Sequence, residues 1–121
     1  MKVMKFGGGT VSNGETMKLA GDVIADHAKN DSVAIVISAV QGMTDQLHQV
    51  IEKALEDETV IEGFIKKITA RHTEIAEEII EDSPVRDQTL EILGKKIDRL
   101  EKCLYGVAYT EEITPRMNDY I

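Results

Sequence analysis

Tryptophan is missing from this 121-residue chain, and aromatic residues make up only 4% of it. Any core must therefore be packed from aliphatic side chains and Met rather than from rings. The single cysteine, Cys103, leaves no internal disulfide to form, which suits a reducing compartment, and a cytoplasmic location is expected. Positive charge is scarce: 14 Lys and Arg stand against 22 Asp and Glu, for a net charge of −8. That balance speaks against a nucleic-acid surface and against a face that binds anionic membranes. No apolar run approaches the ~20 residues of a membrane span, and Met1–Gly7 lacks the pattern of a secretory signal. His27, His48 and His72 have no neighbouring Cys or paired His, so no metal-ligand spacing is present. Internal repeats and low-complexity linkers are absent as well.

What is present is one small domain's length of chain, 42% apolar and 30% charged. Residues 2–6 read as a short strand stopped by Gly7-Gly8-Gly9. Met17, Ala20, Gly21, Ile24 and Ala28 follow at helical spacing, which predicts a helix over about 13–30, with Ser12 and Glu15 as its capping box. After the turn cluster Asn30-Asp31-Ser32, Val33-Ala34-Ile35-Val36-Ile37 is apolar on both faces. It predicts a parallel strand with helices on each side, and so a βαβ unit. Leu47, Val50, Ile51 and Ala54 mark a helix at about 44–56.

Beyond it, Ile61, Ile65, Ile68, His72, Ile75 and Ile79 alternate steps of four and three, and so do Leu90, Leu93, Ile97, Leu100 and Leu104. Asp82-Ser83-Pro84 separates the two stripes, which predicts an antiparallel helical hairpin. In its seam His72 reads as a hydrogen-bonded structural histidine, and Cys103, beside Leu104, as a packing residue. Thr114-Pro115 is a helix-start signal followed by only six residues. Together with a sheet of two strands, it raises the expectation of a truncated piece of a larger α/β protein.

Two clusters carry chemistry. Lys5-Phe6-Gly7-Gly8-Gly9-Thr10 lies at a strand-to-helix junction, where bare backbone N–H groups, a lysine and a helix N-terminus could receive a phosphate. The same residues also fit a sharp glycine turn beside a solvated lysine. The lysine precedes the glycines, so this is no P-loop, and the dinucleotide-binding glycine spacing is absent too. Ser38, Gln41, Gly42, Thr44 and Asp45 gather at the C-terminal end of the second strand, the edge where open parallel sheets bind ligands. Alternatively, Thr44 or Asp45 merely caps the next helix.

Taken together these segments resemble a family. Val3-Met4-Lys5-Phe6-Gly7-Gly8, with Val11 beyond, is similar to the opening block of aspartate kinases. Val36-Ile37-Ser38-Ala39 with Thr44 resembles their second block, and Gly106–Tyr109 with Ile113-Thr114-Pro115-Arg116 and Asp119 a third. The order is right, and the resemblance covers the whole chain. It implies part of the amino-acid-kinase fold: an αβα sandwich with a parallel βαβ start and a helical hairpin. The expected division is a βαβα portion at 1–57, the hairpin at 58–106 and the start of a truncated helix at 107–121.

The activity implied is transfer of the γ-phosphoryl of MgATP to the side-chain carboxylate of L-aspartate, in the biosynthesis of lysine, threonine and methionine. Lys5 would be catalytic, neutralising charge on the phosphoryl, with Gly7, Gly8 and Gly9 binding phosphate. Thr10, Ser38 and Thr44 would bind the substrate. No metal ligands are assigned; Mg²⁺ would arrive with ATP. Gly9 and Ser12 depart from the family pattern, which has a hydroxyl residue at the first position and commonly Gly at the second.

The family's later substrate, nucleotide and regulatory segments find no match, so the expectation is an N-terminal portion that is inactive alone. It would be completed by the remaining kinase half or a second subunit, with homo-oligomers expected. The rival reading is a non-catalytic module that pairs with another kinase chain through the stripes at 61–79 and 90–104. An acylphosphate-forming kinase acting on another amino acid, such as glutamate, fits Ser38-Ala39 and Thr44 less well.

Overall fold

The computed structural model describes residues 1–121, in the order β1 (Lys2–Phe6), α1 (Gly14–Ala28), β2 (Val33–Ile37), α2 (Met43–Glu56), α3 (Val60–Ile79), α4 (Ser83–Thr110) and α5 (Pro115–Tyr120). The expected α/β class is the one observed. The chain forms two compact units, residues 1–44 and 45–121.

In the first unit β1 and β2 pair in parallel, with Lys2 opposite Val33 and Phe6 opposite Ile37. The ladder extends past both ends of β2: Lys2 N–H donates to the Ser32 carbonyl (2.9 Å) and Ser38 N–H to the Phe6 carbonyl (3.0 Å). Parallel neighbours need a long crossover, and α1 supplies it. Its cap differs from the one expected at Ser12 and Glu15. Asn13 is the N-cap: its side chain accepts from Thr16 N–H at 2.9 Å, while Thr16 Oγ1 accepts from Asn13 N–H at 3.3 Å. Asn caps as well as Ser does, and a Thr hydroxyl three residues on can close the box in place of Glu. Ser12 instead donates its Oγ to the Gly9 carbonyl at 3.3 Å. Along α1, Ala20 is buried and Met17 and Ile24 are half-buried, but Gly21 and Ala28 are exposed, so the apolar stripe is narrower than expected.

A second correction concerns β2. It is parallel, as its composition predicts, yet Ile35, Val36 and Ile37 are 45%, 52% and 56% exposed. In this unit α1 is the helix that packs against β2, and one helix cannot shield both faces of a strand.

The second unit is helical. Its elements follow the apolar stripes because burying one face is what stabilises a helix of ordinary propensity. Val50, Ile51 and Ala54 of α2 are buried. Between α2 and α3, Asp57 Oδ1 accepts from both the N–H (2.9 Å) and the Oγ1 (2.6 Å) of Thr59. These bonds hold the Asp57 carboxyl below the usual carboxylate range. Along α3, Ile61, Ile65, Ile68, Ile75 and Ala76 are buried. His72 is half-buried with Nδ1 2.7 Å from the Ile68 carbonyl, the structural role its seam position suggests.

A short link turns the chain into α4, which packs against α3 as the expected hairpin. Asp82 starts α4 by accepting from Val85 N–H at 3.1 Å, with Pro84 in the first turn. Ile97, Leu104 and Val107 are its buried residues. Ile61 and Leu104 are both 0% exposed, and burial of each side chain contributes about 1.5–3 kcal/mol. The left-handed Glu111 (φ 54°) ends α4. The short α5 begins where Thr114-Pro115 indicates, with Thr114 Oγ1 accepting from Met117 N–H at 3.1 Å. No helix is long and apolar enough to cross a membrane.

Candidate functional site

Lys5, the three glycines, Thr10, Ser38 and Thr44 all lie in the first unit. Lys5 sits one residue before the end of β1, opposite Val36, and is exposed. Strand alternation places it on the same face as Val3 and Val36, away from Met4 and Phe6. The chain then bends: Thr10 N–H donates to the Gly7 carbonyl (3.0 Å), and Val11 N–H is shared between the carbonyls of Gly7 (3.3 Å) and Gly8 (3.2 Å). The N–H groups of Gly8 and Gly9 enter none of these turn bonds. They remain as donors at the turn's surface, Gly9 exposed and Gly8 half-buried.

Why three glycines stand here is informative. The only glycine with positive φ is Gly42 (84°), so residues 7–9 do not occupy the left-handed backbone that favours glycine. Packing does not demand them either. A Cβ at Gly7 or Gly9 would meet nothing within 4 Å, and one at Gly8 would make ordinary contacts with Gln41 Cα and Ser38 Oγ, both at 3.8 Å. A turn that keeps side chains away without needing the space for its own fold leaves its amides open to close approach from outside. A left-handed backbone is therefore not what places glycine at residues 7–9.

The contacts of Gly8 also show that the two sequence clusters meet. Ser38 N–H is bonded to Phe6, and Gln41 N–H donates to the Val11 carbonyl at 3.0 Å. The glycine turn and the loop after β2 are therefore tied at both ends by backbone bonds. Val11, 1% exposed, is the apolar pin beneath the turn. Ser38 is exposed and its Oγ donates to the Ala39 carbonyl at 3.0 Å. Gly42 takes the left-handed bend that no other residue type adopts as readily, and Met43 N–H donates to the Val40 carbonyl at 3.0 Å. Thr10 is half-buried beside the turn. Thr44 lies further along, exposed in the first turn of α2 after the buried Met43. The segment that touches the Gly8 position is thus Ser38–Gln41, and Thr44 follows it on the helix.

Sequence reading placed Gln41 in the second cluster but gave no sign that its amide is the tie to Val11. The two positions are 30 residues apart, and no local pattern joins them. No group of three or more His, Cys, Asp or Glu side chains is arranged to hold a metal ion.

Comparison with known proteins gives the family. The model of the Amino acid kinase family matches residues 1–111. Over 98% of the chain the sequence is 34% identical to Aspartokinase 1, chloroplastic, and 31% identical to Aspartokinase 2, chloroplastic, both from Arabidopsis thaliana. Over 51% of the chain it is 31% identical to a bifunctional aspartokinase/homoserine dehydrogenase of Buchnera aphidicola subsp. Acyrthosiphon pisum, of which it covers 8%. The chain spans 20% and 21% of the lengths of the two plant enzymes. With a family match over nearly its whole length, the chain belongs to the amino acid kinase family.

Proposed function

We propose that residues 1–44 bind the reacting groups of an aspartate kinase. In that reaction a carboxylate oxygen of L-aspartate attacks the γ-phosphorus of MgATP, the bond from phosphorus to the bridging oxygen breaks, and 4-phospho-L-aspartate and ADP result. Both reacting groups are anionic, so the protein's task is to hold them together against their repulsion. Catalysis of phosphoryl transfer rests chiefly on such positioning and on charge stabilisation.

In a chain of net charge −8, a local cation has to do this. Lys5 supplies one at the strand end, and the amides of Gly7, Gly8 and Gly9 add donors that cost no reorganisation. The hydroxyls of Thr10, Ser38 and Thr44 hold the aspartate. These residues are assigned to the terminal phosphoryl and the acceptor; none is assigned to the base or ribose of the nucleotide.

The observation that carries this reading is the glycine triplet, unneeded by backbone or packing, set against Ser38 across two backbone ties. Aspartokinase relatives along 98% of the chain support the choice of acceptor. The test is acyl-phosphate formation, trapped as the hydroxamate, in an active kinase that contains these residues. Lys5→Ala is expected to lower turnover about 100-fold or more at unchanged stability. Unchanged turnover, with the chain still bound in the enzyme, would favour the pairing module instead.

A further inference from the structure

We infer that Gln41 is a specificity-determining contact of this site, its carboxamide N–H₂ donating to an oxyanion held over Gly8. The inference rests on the proposed binding of phosphoryl and carboxylate groups at the glycine turn.

Three observations converge on it. First, the position of Gln41 is fixed. Its N–H is bonded to Val11, and Gly42 (φ 84°) and the buried Met43 follow it directly. Secondly, its root adjoins the turn. The point where a Gly8 Cβ would stand is 3.8 Å from Gln41 Cα, 3.9 Å from Gln41 Cβ and 3.8 Å from Ser38 Oγ. Thirdly, the side chain is exposed, and Gln41 enters the loop's hydrogen bonds through its backbone N–H alone. The fold thus anchors the backbone of Gln41 beside the bare Gly8 amide and leaves the carboxamide for other use.

The chemistry of a glutamine suits that use. Two N–H donors on a neutral group can bind a carboxylate or phosphoryl oxygen without adding charge, and the carbonyl end can accept from the ammonium of an amino acid. Glutamate at the same place would set a third negative charge beside two that already repel. A residue pinned at its backbone also loses little freedom when its ligand arrives. Gln41 therefore helps choose what sits over Gly8.

The test is titration of the full chain with inorganic phosphate and, separately, with L-aspartate, followed by amide shifts, for the native sequence and for Gln41→Ala, Gln41→Glu and Lys5→Ala. Gln41→Ala is expected to weaken at least one ligand roughly tenfold, and Gln41→Glu to weaken it further, with the unfolding midpoint unmoved in both. Loss confined to phosphate identifies the phosphoryl oxygen as the partner, and loss confined to aspartate the acceptor carboxylate. Unchanged affinity for both ligands in Gln41→Ala, while Lys5→Ala abolishes binding, overturns the role of Gln41 and leaves the site standing. No binding by the native chain, or binding indifferent to Lys5→Ala, overturns the site and this inference with it.

Discussion

Residues 1–44 and residues 45–121 are stabilised in different ways. The second unit is held by side chains: Val50, Ile51 and Ala54 of α2, Ile61, Ile65, Ile68 and Ile75 of α3, and Ile97, Leu104 and Val107 of α4 are buried along helical stripes. In the first unit the buried side chains are those of Val11, Ala20 and Met43, and its strands leave Val3, Ile35, Val36 and Ile37 exposed. What orders its glycine-turn end, the proposed site, is a set of backbone bonds joining two loops. Packing suits a scaffold, whereas bonds between main-chain groups suit a site, because they fix amides in space while leaving the volume above them free. The division also means that stability and binding should respond to different residues.

That contrast can be broken most severely in the helical unit. Leu104→Ala, at a position 0% exposed, should destabilise residues 45–121 by about 2–5 kcal/mol in denaturant unfolding, since the cavity adds to the lost transfer energy. A cost below about 1 kcal/mol would mean that this side chain is not the core residue its burial indicates. In the first unit, Asn13→Ala removes the side chain that accepts from Thr16 and should cost about 1 kcal/mol. Ser12→Ala, which spares that cap, should cost less; the reverse order would restore Ser12 as the effective cap.

The sharper comparison is between folding and binding at a single residue. Gly7→Ala and Gly9→Ala face open space at ordinary φ. They should leave unfolding unchanged or raise stability by roughly 0.4–1 kcal/mol through the unfolded state, while phosphate binding falls. Marked destabilisation would show that the fold itself requires these glycines.

The smallest effect is one of pH. The Thr59 bonds lower the Asp57 pKa in the folded chain, so their contribution is complete above the unfolded carboxylate's pKa. It is lost as pH falls through that value and then through the depressed one. Asp57→Asn should therefore flatten the acid limb of the unfolding curve slightly, and an unaltered limb would remove Asp57 from it.

How much of this was legible in the sequence follows the same division. Both strands fall where their residues indicated; Ile61, Ile65, Ile68 and Ile75 of the α3 stripe and Ile97 and Leu104 of the α4 stripe are buried and the other stripe residues half-buried, because periodicity records burial. The helix cap was misplaced by one residue because Ser12, Asn13 and Thr16 all offer capping oxygens, and only the backbone angle at Asn13 decides among them. The two-sided apolar character of β2 indicated cover on both faces, but Ile35 and Val36, on opposite faces, are both substantially exposed. At the site, residue types pointed to a phosphate turn and a hydroxyl loop. That Val11 and Gln41 tie them together, and that Gly8 faces Ser38, are long-range facts with no local signature.

The central claim is that the glycine turn and the Ser38–Gln41 loop form a single oxyanion-binding surface governed by Lys5. Mapping the amide shifts of the full chain on titration with phosphate tests it most directly. Gly8, Gly9, Ser38 and Gln41 should move together on one saturation curve that Lys5→Ala abolishes. Shifts confined to residues 45–121, or a curve indifferent to Lys5→Ala, would contradict it.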